Sequence, residues 1–348
     1  METVWFAIIA VMLAVYVVLD GFDLGVGVLH LFVAKNDAER RTVLASIGPI
    51  WDGNEVWLLA SGGVLFFAFP RVYAAGFSGF YLPLMMSLWL LVLRGIAIEF
   101  RSMVVADLWR SFWDGVFFLS SLLMAVVLGA ALGNVIRGVP LGPDGYFSGP
   151  LFTNFMPWPD QGVLDWYTVL VGVFALAALT LHGALFLVYK TEGELNARAR
   201  GAARVLWWVV VLVGVLATIA THSIRPELYE QLIGRPWTWI LALGVVAGAV
   251  LMRVFLTKGL ELKAFLGSVL FLASLLAATA AGVFPILLRS TVDAANNLTT
   301  ENAAAGALSL RVGLIWWLLA IVLAIGYFSY LFHSFRGKVQ SGAEGYGH

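Results

Sequence analysis

Apolar stretches long enough to cross a lipid bilayer follow one another along this chain with little polar sequence between them. They run at roughly 4–31, 51–70, 73–98, 113–136, 164–189, 205–222, 237–256, 264–288 and 310–333. A helix rising 1.5 Å per residue needs about 20 apolar residues to traverse a hydrocarbon core about 30 Å thick. Inside lipid the backbone must satisfy its own polar groups, so each stretch is expected to be a helix. Glycine and proline within them (Gly25, Gly27, Pro83, Gly129, Pro285) are read as kinks or close-packing points. Composition agrees: 61% of residues are hydrophobic and 12% charged, against about 25% charged in soluble domains. The expected fold is an all-α integral membrane protein with nine transmembrane helices.

Twenty-one basic residues balance 21 acidic ones, and no basic run marks a nucleic-acid partner. Cysteine is absent, which excludes disulfides and thiolate ligation by this chain. The first apolar stretch is read as a retained span. Its flank carries Glu2, its apolar run is long for a signal peptide, and no small-residue cleavage site follows.

Lysines and arginines between the stretches set an orientation. Fourteen fall on one side (Lys35, Arg40, Arg41, Arg101, Arg110, Lys190, Arg198, Arg200, Arg204, Arg253, Lys258, Lys263, Arg336, Lys338) and six on the other (Arg71, Arg137, Arg225, Arg235, Arg289, Arg311). The positive-inside rule puts the N-terminus outside and the C-terminus in the cytoplasm, as an odd number of spans requires. The chain reads as one polytopic domain over 1–348: four spans in 1–136, five in 164–333, and a short Gly-rich tail at 334–348 expected to be disordered. The Pro- and Gly-rich loop at 137–163 is expected to form an ordered cap or a partner contact.

Acidic residues at membrane depth are expensive and mark functional sites by default. Asp20 and Asp23 lie near the inner end of the first stretch, and Asp52 and Glu55 open the second. Glu99 ends the third and Asp114 begins the fourth, so the carboxylates of the first half collect at the cytoplasmic end. This pattern fits the mouth of a hydrated proton path. Competing structural readings make Asp52 an N-cap with Glu55 at the capping-box position, or pair Arg94 with Glu99 on one helix. Asp20, Asp52 and Glu99 are the candidate functional residues, with Asp23 and Glu55 as structural support. Of five histidines only His182 lies well inside a span, and no pair at i, i+3 or i, i+4 suggests a metal cage or a bis-histidine haem. The tryptophans mostly sit near span ends, as an interfacial belt would place them; a groove for an isoprenoid quinone would use the same apolar and aromatic residues.

Four segments carry a resemblance: DGFDLGVG (Asp20 to Gly27), IGPIWDGNEVWLLASGG (Ile47 to Gly63), FPRVYAAGFSGFYLP (Phe69 to Pro83) and RGIAIEFRS (Arg94 to Ser102). In this order they resemble subunit II of cytochrome bd-type quinol oxidases, a family that includes the cyanide-insensitive oxidases. The likeness is dense over about the first 115 residues and rests on topology beyond them. It implies two four-helix bundles plus a peripheral helix. It also implies a heterodimer with a haem-bearing subunit I, which holds the quinol site, two b-type haems and one d-type haem. The implied complex sits in a bacterial or archaeal cytoplasmic membrane, oxidises quinol, reduces dioxygen to water and builds a proton-motive force without pumping. In the family, subunit II carboxylates line a path from the cytoplasm, and Asp20, Asp52 and Glu99 stand at matching positions. Some members have Gln at the Glu55 position and some Asp at the Glu99 position. No cofactor is expected to be ligated by this chain itself; a structural quinone and small accessory subunits belong to the same set of expectations.

Two rival classes compete. A proton- or cation-coupled transporter also uses intramembrane acids, but typically in two inverted halves with broken helices, whereas the acids here lie in the first half and toward one face. A purely structural subunit would use its carboxylates only to lock helices.

Overall fold

A computed structural model describes residues 1–339. Twelve α-helices dominate the described chain: α1 (Glu2–Val33), α2 (Asp37–Ile47), α3 (Trp51–Ala68), α4 (Pro70–Gly79), α5 (Tyr81–Phe100), α6 (Asp107–Arg137), α7 (Trp166–Lys190), α8 (Gly193–Ile224), α9 (Pro226–Ile233), α10 (Trp239–Thr257), α11 (Glu261–Val283) and α12 (Ala307–Ser334). A small antiparallel pair, β1 (Ile286–Leu288) and β2 (Leu298–Thr299), is the only sheet among the described residues. Eight helices (α1, α5, α6, α7, α8, α10, α11, α12) are long and apolar enough to cross a membrane. The 18-residue α3, with Asp52, Asn54 and Glu55 in its opening turns, is not among them.

Several boundaries differ from expectation. The stretch 73–98 is not one helix: α4 ends at Gly79 and α5 restarts at Tyr81, which leaves Pro83 in the first turn of α5, where its missing N–H has no intrahelical partner to lose. Pro285 is not a kink within a span, because α11 stops at Val283 and Pro285 precedes β1. Helix α8 begins at Gly193, well before the apolar residues start, since the polar segment 193–204 is rich in strong helix formers. Residues 336–339 of the tail are tied down: Val339 N donates to Lys190 O at 2.8 Å and Lys338 Nζ to Thr191 O at 2.9 Å. The remainder of the expected disordered tail, 340–348, lies outside the described residues.

Helix α1 packs on α3, α6, α7 and α11, and α10 pairs with α11. The seam between α1 and α7 is a backbone-to-backbone contact. A Cβ on Gly25 would stand 2.0 Å from Leu179 O, and one on Gly183 would stand 2.4 Å from the Gly25 carbonyl carbon, so only glycine allows this approach. The buried core runs along this seam through Phe22, Leu24, Val26, Leu179, Leu185 and Phe186.

The molecule has two unlike ends. At the capped end, loop 137–163 is ordered and knits to the β1–β2 segment: Val139 N donates to Arg289 O and Thr291 N to Val139 O, each at 2.9 Å. Below it Asp165 caps α7 with a complete capping box to Thr168 and forms a buried ion pair with Arg137. At the opposite, charge-rich end lie α2, the α5–α6 turn and the start of α8.

Candidate functional site

The site is built where α3 begins deep against α1. Asn54 Nδ2 donates to Asp23 Oδ2 at 2.8 Å and reaches Leu19 O at 3.4 Å. The first turn of α3 therefore stands level with residues 19–23 of α1, about 15 Å short of the end of α1 at Val33. The chain leaves α1, forms α2 across the charge-rich end, then turns back inward through Gly48–Ile50 before α3 starts. Asp52 is not the N-cap expected from sequence: that position is Ile50, with no side-chain cap, and Asp52 Oδ1 accepts from the neighbouring Gly53 N at 2.7 Å.

Arg94 of α5 is fully buried and is the centre of the site. Its Nη2 lies 2.7 Å from Asp20 Oδ1 and 3.2 Å from Glu55 Oε2. The Arg94–Glu99 pair weighed from sequence does not form; Arg94 instead joins α5 to α1 and α3. Two carboxylates (Asp20, Glu55) thus meet one guanidinium, and a third, Asp23, stands one turn from Asp20 on α1 with Asn54 as its partner. Several polar atoms in the same region are buried without a protein partner: Tyr16 OH one turn from Asp20, Asp23 Oδ1, Asn54 Oδ1, and Arg94 Nε and Nη1. Such groups are ordinarily satisfied by ordered water.

Of the three residues singled out from sequence, only Asp20 belongs to this buried cluster. Asp52 is exposed one turn before Glu55, and Glu99 is part-exposed at the end of α5. Both lie toward the charge-rich side of the cluster. The two residues assigned to support, Asp23 and Glu55, are the ones found beside Asp20.

A second cluster went unrecognised in the sequence. Buried Asp114 on α6 accepts from Arg101 Nε at 2.6 Å and from Arg40 Nη1 at 2.6 Å, and stands 3.3 Å from His30 Nε2. Arg101 also donates to Asp37 on α2 at 2.9 Å, with Arg41 and Arg110 on the same carboxylate. Burial raises the Asp37 carboxyl, but the hydrogen bond and charge of Arg101, then the charges of Arg110 and Arg41, outweigh it and hold the group below the usual carboxylate range. This network fastens α2 to α1, α5 and α6, and so fixes the turn that sends α3 inward. The available signal was the mixture of signs at His30, Asp37, Arg40, Arg101 and Asp114, all near span ends.

The family model for cytochrome bd terminal oxidase subunit II matches residues 1–335. The chain belongs to that family. Its subunit II relatives include the cytochrome bd-I ubiquinol oxidase subunit 2 of Escherichia coli K12, 32% identical with 92% of this chain and 90% of the relative covered. The cytochrome bd ubiquinol oxidase subunit 2 of Bacillus subtilis is 33% identical, with 98% and 97% covered. The bd oxidase structure from Geobacillus thermodenitrificans shares the fold, with a TM-score of 0.74 at 18% identity over 96% of this chain and 98% of that one. The subunit II resemblance first carried by motifs in the opening third thus extends over the whole described helical region.

The family implies haems, and the two buried histidines of this subunit II chain are already fully engaged. His182 meets Ser268 Oγ at 2.7 Å and Val18 O at 2.9 Å through its two nitrogens. His30 meets Gly27 O at 2.9 Å and Asp114 through its own. Neither imidazole has a nitrogen left for iron, so these residues do not fit haem ligation. Both serve packing: His182 bridges α7 to α1 and α11, and its bond to the Val18 carbonyl steadies α1 just before Asp20.

Proposed function

We propose that this chain is the non-haem subunit of a quinol:dioxygen oxidoreductase, and that it contributes the entrance of the proton-uptake path. In this reading α3 serves as the ninth membrane crossing, in two four-helix bundles (α1, α3, α5, α6 and α7, α8, α10, α11) with α12 peripheral. The charge-rich end faces the cytoplasm, as the distribution of lysine and arginine supports. The chain works as one membrane domain, docked to a subunit I that holds the haems and the quinol site.

Reduction of dioxygen to water consumes protons, and an apolar membrane core does not conduct them. A path must therefore offer groups that exchange protons at depth. The observation that carries the proposal is the Asp20–Arg94–Glu55 cluster with Asp23 beside it. Asp20 and Glu55 share one guanidinium with Asp23 beside them, so a single positive charge at this depth stands against three acidic groups. The cluster is in effect a proton store. Asp52 and Glu99, on its charge-rich side, collect protons from the aqueous face, and unpartnered polar atoms from Tyr16 to Arg94 provide anchoring points for water between them. Arg94 keeps the total charge of the store from growing prohibitive.

The test is Asp52→Asn, which removes a titrating group while preserving shape. Quinol oxidase turnover should fall while the complex still assembles with its usual haem absorbance. Undiminished turnover and proton uptake in such a complex would overturn the role of Asp52. The structural-lock alternative predicts the reverse pattern, lost assembly with normal activity in whatever complex remains.

A further inference from the structure

We propose that Arg204 and Arg253 form a headgroup site for an anionic glycerophospholipid in the leaflet at the charge-rich end. The two helices that carry them run antiparallel with a register fixed by two bonds: Arg200 Nη1 to Leu256 O at 3.3 Å and Trp207 Nε1 to Ala249 O at 2.8 Å. Between these bonds Arg253 of α10 stands level with residues 203–204 of α8. Two guanidinium-bearing positions therefore share one depth, about 6 Å inside the end of α10. The Arg253 guanidinium lies over the Trp207 ring, 5.6 Å from its centroid. Its Nη1 is buried with no hydrogen-bond partner among the described residues.

Among the described residues neither arginine has an ion pair, whereas Arg200 and Lys338 both engage Glu261, and Arg198 engages Glu39 and Glu194. Two like charges at one depth beside apolar side chains call for an anion from outside the chain. The surroundings say which kind. One and two turns deeper on the Arg253 face lie exposed Val250 and Val246, and on the Arg204 face exposed Trp208 and Leu212. This surface suits acyl chains that descend from a phosphate held above them. The stacked tryptophan sits at the level where indoles mark the membrane interface. Basic side chains at a membrane surface attract acidic headgroups with about fivefold preference per residue at low salt. A free phosphate would use the guanidiniums but leave the apolar surface below them without purpose.

The test uses the whole oxidase complex in nanodiscs of phosphatidylglycerol and phosphatidylcholine in equal parts, with retained lipids counted by native mass spectrometry. The wild type should hold phosphatidylglycerol in preference to phosphatidylcholine. Arg204→Gln, an exposed change that does not threaten folding, should lower that preference about fivefold, and Arg204→Gln/Arg253→Gln should abolish it. Arg204→Lys/Arg253→Lys should retain most of it. Equal retention of the two lipids by the wild type, as a carboxylate from a partner subunit covering the site would produce, overturns the proposal. So does an unchanged preference in the glutamine variants, or displacement of the retained phosphatidylglycerol by millimolar inorganic phosphate.

Discussion

Gly25→Ala is a severe test of how the site is held. The new Cβ would lie 2.0 Å from Leu179 O and 2.9 Å from Gly183 Cα. Ordinary contact is about 3.5 Å or more, so α1 and α7 must separate by about 1–1.5 Å. Both obstructing atoms are helical backbone and cannot rotate away. Overpacking of this kind costs about 1–3 kcal/mol. The separation also stretches the His182–Val18 bond, now 2.9 Å, beyond hydrogen-bond range, and a buried group left unpaired costs a further ~1–3 kcal/mol. The combined loss is about 2–6 kcal/mol. The control is Gly201→Ala, in the exposed early part of α8 with nothing within 4 Å of its Cβ position, which should stabilise by roughly 0.5–1 kcal/mol. Thermal unfolding of the purified complex, followed by fluorescence-detected size exclusion, reads both. Gly25→Ala as stable as wild type, or Gly201→Ala as damaging as Gly25→Ala, refutes the claim that glycine sets this seam.

Three further outcomes follow from the same geometry. Asn54→Ala removes the donor to buried Asp23 and should cost about 1–3 kcal/mol in thermal unfolding; a neutral result contradicts the assignment of that bond as the link between α1 and α3. Asp165→Ala takes both the cap of α7 and the partner of buried Arg137, and should lower stability by about 3–5 kcal/mol, far more than the ~1 kcal/mol expected of a cap alone. Asp37, with its folded-state carboxyl held below the unfolded value, contributes stability that is present above about pH 4 and is lost as pH falls through its folded value. Asp37→Asn should therefore flatten the acid limb of the stability profile, and an unaltered acid limb counts against the Arg101–Asp37 contact.

Hydropathy made most long helices legible, because a run of apolar residues must bury or meet lipid whatever its neighbours do. It failed where the decisive information was not hydrophobic. The break at Phe80 lies inside one apolar run, where Pro83 reads as a kink although it stands in the first turn of a new helix, and the extension of α8 back to Gly193 is polar helix that a hydropathy window passes over. Side-chain partners were less readable still. Arg94 and Glu99 share a helix, but five residues turn about 140° around it, so they face different neighbours. The true partners of Arg94 come from α1 and α3, 74 and 39 positions earlier, and nothing local announces them. The same holds for Asp114, whose partners lie on α1, α2 and the end of α5. Asp20 was legible because a carboxylate inside an apolar run has few explanations; Asp23 and Glu55 were undervalued because the Asn54 contact to Asp23 and the approach of Glu55 to Arg94 both depend on the depth at which α3 begins.

The central claim is that the carboxylates around Arg94 carry protons inward. Its most direct test is proton uptake during dioxygen reduction by the intact complex with Asp20→Asn, read with a pH indicator on the charge-rich side. The variant keeps the shape of the side chain and a polar contact for Arg94, so the complex should assemble with normal haem absorbance. The account predicts that uptake slows at least tenfold and limits turnover, a barrier increase of about 1.4 kcal/mol or more. Uptake at the wild-type rate in that assembled complex would contradict it.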